Sequence, residues 1–106
     1  MTALSIALAW WAMLGATPPA CLNVQQADLA APVIGRGEIG GCQVEIARRI
    51  LPARTRKQGL RLCWAVIHEV GHTIGLQHTE RGIMARIYEP GREPGICWKL
   101  RLPATV

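Results

Sequence analysis

All three histidines of this chain fall in one short run, His68-Glu69-Val70-Gly71-His72-Thr73-Ile74-Gly75-Leu76-Gln77-His78. His68 and His72 are four residues apart, so on a helix both imidazoles leave from one face. Two such nitrogens suit a zinc ion, which takes about four ligands in a tetrahedron. Gly75 fits the left-handed position that ends a helix, and the chain can then turn back so that His78 supplies a third ligand. Three protein ligands leave one position open for water, the mark of a catalytic rather than a structural site. Glu69 would stand beside the metal, where a general base for the bound water belongs. Its carboxylate would take a proton from water whose pKa falls to about 7 on zinc, and return it to the leaving amine of a peptide bond. No Ser or Cys nucleophile is needed. By composition alone H-E-x-x-H arises about once in tens of thousands of positions, and Gly75 and His78 make coincidence rarer by roughly several hundred-fold.

For this chemistry His68 and His72 must ride on a well-packed helix. The apolar positions Leu60, Leu62, Cys63, Ala65, Val66, Ile67, Val70 and Ile74 crowd most of the way round a helix, as in one buried between a sheet and the rest of a domain. Residues 54–59 are basic and turn-like, so this helix is expected to open at Leu60. Upstream, Cys42, Val44 and Ile46 alternate with polar or small residues, the period of a half-buried strand over 42–47. Residues 21–24 form a second candidate strand, and 28–41, rich in Ala, Pro and Gly, read mostly as loop. The apolar run Leu4–Gly15 has two readings. It resembles a signal-peptide core, but no Lys or Arg precedes it and prolines occupy the cleavage region; the favoured reading is a core helix stopped by Gly15 and Pro18-Pro19. Gly82, Pro90, Gly91, Pro94 and Gly95 punctuate an irregular tail, and 97–100 is expected to pack back. The fold class is therefore α+β: a small twisted sheet, an N-terminal helix, an active-site helix and an irregular C-terminal part, in one domain over 1–106.

With 50% hydrophobic and 18% charged residues, the composition is that of a folded chain, not a disordered one. The net charge of +5 is concentrated in Arg48, Arg49, Arg54, Arg56, Lys57 and Arg61. No aromatic residues interleave with them to stack on bases, so the stretch reads as a solvated basic face and not as a nucleic-acid surface. The apolar run is too short to span a bilayer. Four cysteines, Cys21, Cys42, Cys63 and Cys97, are too widely spaced for a zinc finger and suggest two disulfides and an extracellular or cell-envelope location. Of the three possible pairings, Cys42–Cys63 with Cys21–Cys97 is preferred, because it would tie a strand to the motif-bearing helix.

The string H-E-x-x-H-x-x-G-x-x-H followed by a methionine turn is the metzincin signature. This chain carries the whole string, and Met84 in Arg81-Gly82-Ile83-Met84-Ala85 resembles the Met-turn. Within the metzincins the chain is similar to matrixins, and more so to short cysteine-bearing bacterial ones: Trp10-Trp11 and Pro18-Pro19-Ala20-Cys21 precede the strand, and Ile39-Gly40-Gly41 leads into it. The resemblance covers residues 39–88. It implies a zinc metalloendopeptidase with His68, His72 and His78 as metal ligands, Glu69 as base and Met84 beneath the site. It also implies a peptide or protein substrate laid along a sheet edge, with hydrophobic residues around Ile83 to Tyr88 lining a specificity pocket. The chain departs from the family pattern in length and in lacking a cysteine-switch propeptide. Calcium is not supported, since Cys42-Gln43-Val44-Glu45 stands where the family has calcium-holding acids, and the usual Tyr-Pro pair is displaced to Tyr88 and Pro90. Two alternatives stay open: a truncated or inactive metzincin-like protein that binds zinc without turnover, against which the retained Glu69 argues, and a basic nucleic-acid-binding module.

Overall fold

Thr2 opens the first helix, α1 (Ala3–Met13), its side chain accepting the Ser5 N–H. The computed structural model describes residues 1–106. Ala3, Ile6, Ala7 and Trp11 of α1 are buried in the core, so the apolar run is a packed core helix here. Trp11 also donates its indole N–H to the carbonyl of Ile67 at 2.9 Å, which fixes α1 across the motif-bearing helix.

Three strands follow: β1 (Asn23–Ala27), β2 (Gly35–Gly37) and β3 (Gln43–Ala47). They form one sheet in the order β1-β3-β2, with β1 parallel and β2 antiparallel to β3. Only β3 shows the alternation expected of it, with Val44 and Ile46 fully buried. Strand β1 begins two residues later than residues 21–24 suggest, because pairing with β3, and not an apolar pattern, defines it: Gln25 and Gln26 sit on an exposed edge. Strand β2 lies inside the stretch read as loop. Two of its three residues are glycines, which carry no strand signal of their own.

Helix α2 (Arg56–Ile74) is the central element, packed against α1, β2, β3 and a short 3-10 turn at Gly95–Lys99. It is buried without a break from Leu62 to Thr73. The helix opens a turn earlier than expected because Thr55 and Gln58 form a capping box: Thr55 Oγ1 accepts the Gln58 N–H and Gln58 Oε1 accepts the Thr55 N–H, each at 3.2 Å. Gly59, read as a turn residue, lies within the helix where the C-terminal segment crosses it; a Cβ there would sit 2.9 Å from Leu102.

The cysteines pair as Cys21–Cys42 and Cys63–Cys97, which corrects the preferred pairing. The parallel register that sets Asn23 beside Gln43 brings Cys21 next to Cys42 at the entrance to both strands. Cys63 sits on the other side of α2, against the 3-10 turn that carries Cys97. No cysteine is left free. Several arginines of the basic stretch make contacts within the chain. Arg48 pairs with Asp28, Arg49 donates to the carbonyls of Leu29 and Val33, and Arg56 donates to Leu100 O and lies over Trp98.

Candidate metal centre

Helix α2 presents His68, Glu69 and His72 at its middle and end, 3%, 6% and 5% exposed respectively. The helix stops as Gly75 predicts. Gly75 has φ +111°, its N–H meets His72 O, and the Leu76 N–H meets Gly71 O, the paired bonds of a Schellman cap. The chain then reverses and brings exposed His78 back to the helix. The ligating nitrogens available on His68, His72 and His78 all lie within 4.8 Å of one another. His72 Nε2 and His78 Nε2 are 3.2 Å apart, and Glu69 Oε1 is 3.9 Å from His72 Nε2.

The ring tautomers follow from the neighbours. His68 Nδ1 lies 2.8 Å from Ile83 O and His72 Nδ1 lies 2.7 Å from Leu76 O. A carbonyl oxygen only accepts, so both Nδ1 atoms donate, which leaves each Nε2 as the nitrogen available to a metal ion. The Nε2 atoms of His72 and His78 face each other at 3.2 Å, a separation met either by an N–H···N hydrogen bond or by a cation that both nitrogens hold. A tetrahedral ion with bonds of about 2.0–2.1 Å separates its nitrogen ligands by roughly 3.3 Å. The residues present therefore fit a metal ion held by three imidazoles. Without a metal, burial holds His68 down to about 4 and pushes the Glu69 carboxyl up to about 7.

Residues 79–85 tie these groups together. The Thr79 N–H donates to Met84 O, the Ala85 N–H to Gly82 O, and the same turn offers Ile83 O to His68. Met84 is buried against α2, where a Cβ on Gly71 would stand 2.5 Å from its sulfur and 2.8 Å from Trp11. Gly71 is thus the gap in α2 into which Met84 and Trp11 pack.

A cleft of about 940 Å³ opens over the histidines. One wall is α2, with Trp64 stacked on His68 at 4.6 Å between ring centroids. The opposite wall is edge strand β2. A Cβ on Gly35 would come within 2.9 Å of Glu69 Cγ, and one on Gly37 within 2.5 Å of the Glu69 carbonyl oxygen. Gly35 and Gly37 therefore allow β2 to pass directly over Glu69. Sequence reasoning missed them, although two glycines at i and i+2 on one strand face are the signal for such an approach. The hairpin tip also holds the helix end, through Gly40 N–H to His72 O at 2.8 Å.

Of the stretch Ile83 to Tyr88, Arg86, Ile87 and Tyr88 line the cleft. Ile83 instead serves His68 through its carbonyl and Met84 packs below, so the lining is less hydrophobic than expected. Tyr88 lies 5.3 Å from Trp64 and donates to Glu93 at 2.6 Å. Burial and the Glu93 hydrogen bond push its phenol up, with the Arg61 charge opposing.

Neither a curated protein nor a solved structure matches this chain. One family model does, Metallopep, described as "Putative peptidase family", over residues 54–91. Those residues span α2, the Gly75 turn, His78 and the Met84 turn, so the part of the chain that resembles a peptidase family is the part that builds a three-histidine site able to hold a metal ion.

Proposed function

We propose that this chain is a zinc-dependent metalloendopeptidase of the matrixin-like metzincin type, with residues 1–106 as one catalytic unit. The observation that carries this reading is the convergence of three buried or inward-turned imidazoles with a buried carboxylate 3.9 Å from one of them, at the floor of an open cleft. His68, His72 and His78 would hold the zinc ion. Zinc, when bound, supplies Lewis acidity that polarises a carbonyl and acidifies water. Glu69 moves the proton: its carboxylate takes one from water as that water adds to the peptide carbonyl, and delivers it to the departing amine. An extended substrate lies along the free edge of β2, where backbone groups orient it and the missing side chains of Gly35 and Gly37 leave Glu69 close at hand. Met84 and the Trp64 ring hold the histidines in position. Two disulfides and no free cysteine favour an oxidising compartment, and no helix is long and apolar enough to cross a membrane.

Glu69→Gln tests the reading, since it keeps the shape against which Gly35 packs. Zinc-loaded wild type is expected to cleave casein or quenched peptides, and the variant to keep its zinc while losing on the order of 10²–10⁴ in rate. Zinc binding without turnover in the wild type would instead establish an inactive zinc-binding protein.

A further inference from the structure

The charges around the cleft are unbalanced. Arg36, Arg61 and Arg86 line it, against one carboxylate, Glu69, at the metal end. Arg36 is already paired with Glu45 at 2.6 Å. Arg86 is exposed, on the irregular segment after the Met84 turn. Arg61 differs from both. It rides on α2, three residues before Trp64 and seven before His68, and so shares their face of the helix. Its Nε is buried without a hydrogen-bond partner, and no carboxylate of the chain forms an ion pair with it. Glu93, the hydrogen-bond partner of cleft-lining Tyr88, is engaged by that hydroxyl and by the Gly91 N–H. A buried guanidinium donor left unpaired costs free energy that a carboxylate, able to meet the planar fork of arginine, would recover.

We infer that the cleft selects peptides bearing an acidic side chain, Asp or Glu, beside the bond that is cut, and that Arg61 is the residue that reads it. The inference rests on the peptidase reading and adds a substrate class to it. A side chain lodged beside Trp64 and Tyr88 lies against apolar rings along its stem and meets Arg61 at its end. A glutamine in the same place keeps the shape and loses the charge-assisted bond; a lysine meets repulsion from a cleft with two unpaired arginines. Specificity is set chiefly by this asymmetry between a paired and an unpaired buried polar group.

The test uses short quenched peptides in which Glu, Gln, Leu or Lys occupies, in turn, each position flanking the scissile bond. Turnover is measured with zinc-loaded wild type, and affinity by calorimetry with zinc-loaded Glu69→Gln, so that binding is read even without cleavage. At one flanking position Glu is expected to exceed Gln about tenfold or more in kcat/KM and in affinity. That ratio is expected to collapse toward one in Arg61→Met, to persist in part in Arg61→Lys, and to survive Arg86→Met. Equal values for Glu and Gln in the wild type overturn the inference, whatever the variants do, and leave the peptidase reading intact if cleavage occurs. A ratio lost in Arg86→Met but kept in Arg61→Met overturns the assignment to Arg61. Failure of every peptide both to bind and to be cleaved overturns the peptidase reading together with the inference.

Discussion

Helix α2 and strand β2 face each other across the cleft and contribute opposite things. The helix is nineteen residues long and supplies side chains: two imidazoles, a carboxylate, Trp64 and Arg61. The strand is three residues long and supplies the absence of side chains at Gly35 and Gly37, which lets its backbone approach Glu69. The proposed function needs both, because a substrate backbone cannot be held over the Glu69 carboxylate by a wall that stands a side chain further away. In the proposed function the helix wall carries the chemistry and the strand wall sets the spacing.

Substitutions on the two walls should therefore fail differently. On the helix wall, His72→Ala is expected to abolish both stoichiometric zinc binding and hydrolysis. The fold should survive in metal-free form, because α1, the sheet and two disulfides do not depend on that ring. Zinc content by mass spectrometry and the far-ultraviolet circular dichroism spectrum check the two halves; retained zinc would break the assignment of ligands. On the strand wall, Gly37→Ala drives a Cβ into the Glu69 backbone, where nothing flexible can yield, and is expected to cost about 1–3 kcal/mol in urea unfolding. Unchanged stability would mean that β2 does not press on α2 as described. Gly35→Ala meets only the Glu69 side chain, which can turn aside. Its expected effect is smaller on stability, under about 1 kcal/mol, and is seen mainly as reduced turnover with normal zinc affinity.

How much of this contrast could be read beforehand differs between the walls. The geometry of the helix wall was legible almost residue by residue, since a shared helix face, helix ending and return of the chain each demand a residue type at a fixed spacing: His68, His72, Gly75, His78. What was not legible was where α2 begins, because Thr55 and Gln58 sit among arginines that read as a turn, and only their mutual hydrogen bonds make them a cap. The strand wall was hidden. Gly35 and Gly37 have no strand propensity, and their role depends on a distance to Glu69 that no local pattern encodes. The disulfides failed for a related reason. Which cysteines meet depends on the β1–β3 register and on which face of α2 turns toward the C-terminal 3-10 turn, both set by tertiary packing.

The pH dependence of the metal-free protein offers the finest discrimination within the helix wall. Burial lowers His68 from 6.5 to about 4, so the unfolded chain takes up this proton first, and stability is lost as pH falls from 6.5 toward 4. Burial raises Glu69 from 4.5 to about 7, so its contribution is fully present below 4.5 and is lost as pH rises through 7. Between 4.5 and 6.5 the two slopes oppose each other. His78, lowered by desolvation and by the His72 and Arg86 charges, adds to the His68 slope, so in chelator the urea midpoint of Glu69→Gln, freed of the opposing Glu69 slope, should rise with pH more steeply than that of wild type. Parallel profiles for the two proteins would show that the Glu69 carboxyl is not desolvated against β2.

In the proposed function one metal ion on the three histidines, with Glu69 beside it, hydrolyses peptide bonds. Its most direct test is to strip the protein with chelator and add zinc back in fractions of an equivalent while following cleavage of a quenched peptide. The expected result is no activity in the stripped protein, then a linear return that ends at one zinc per chain. Activity that survives stripping, or a zinc-loaded chain that never cleaves, would contradict it.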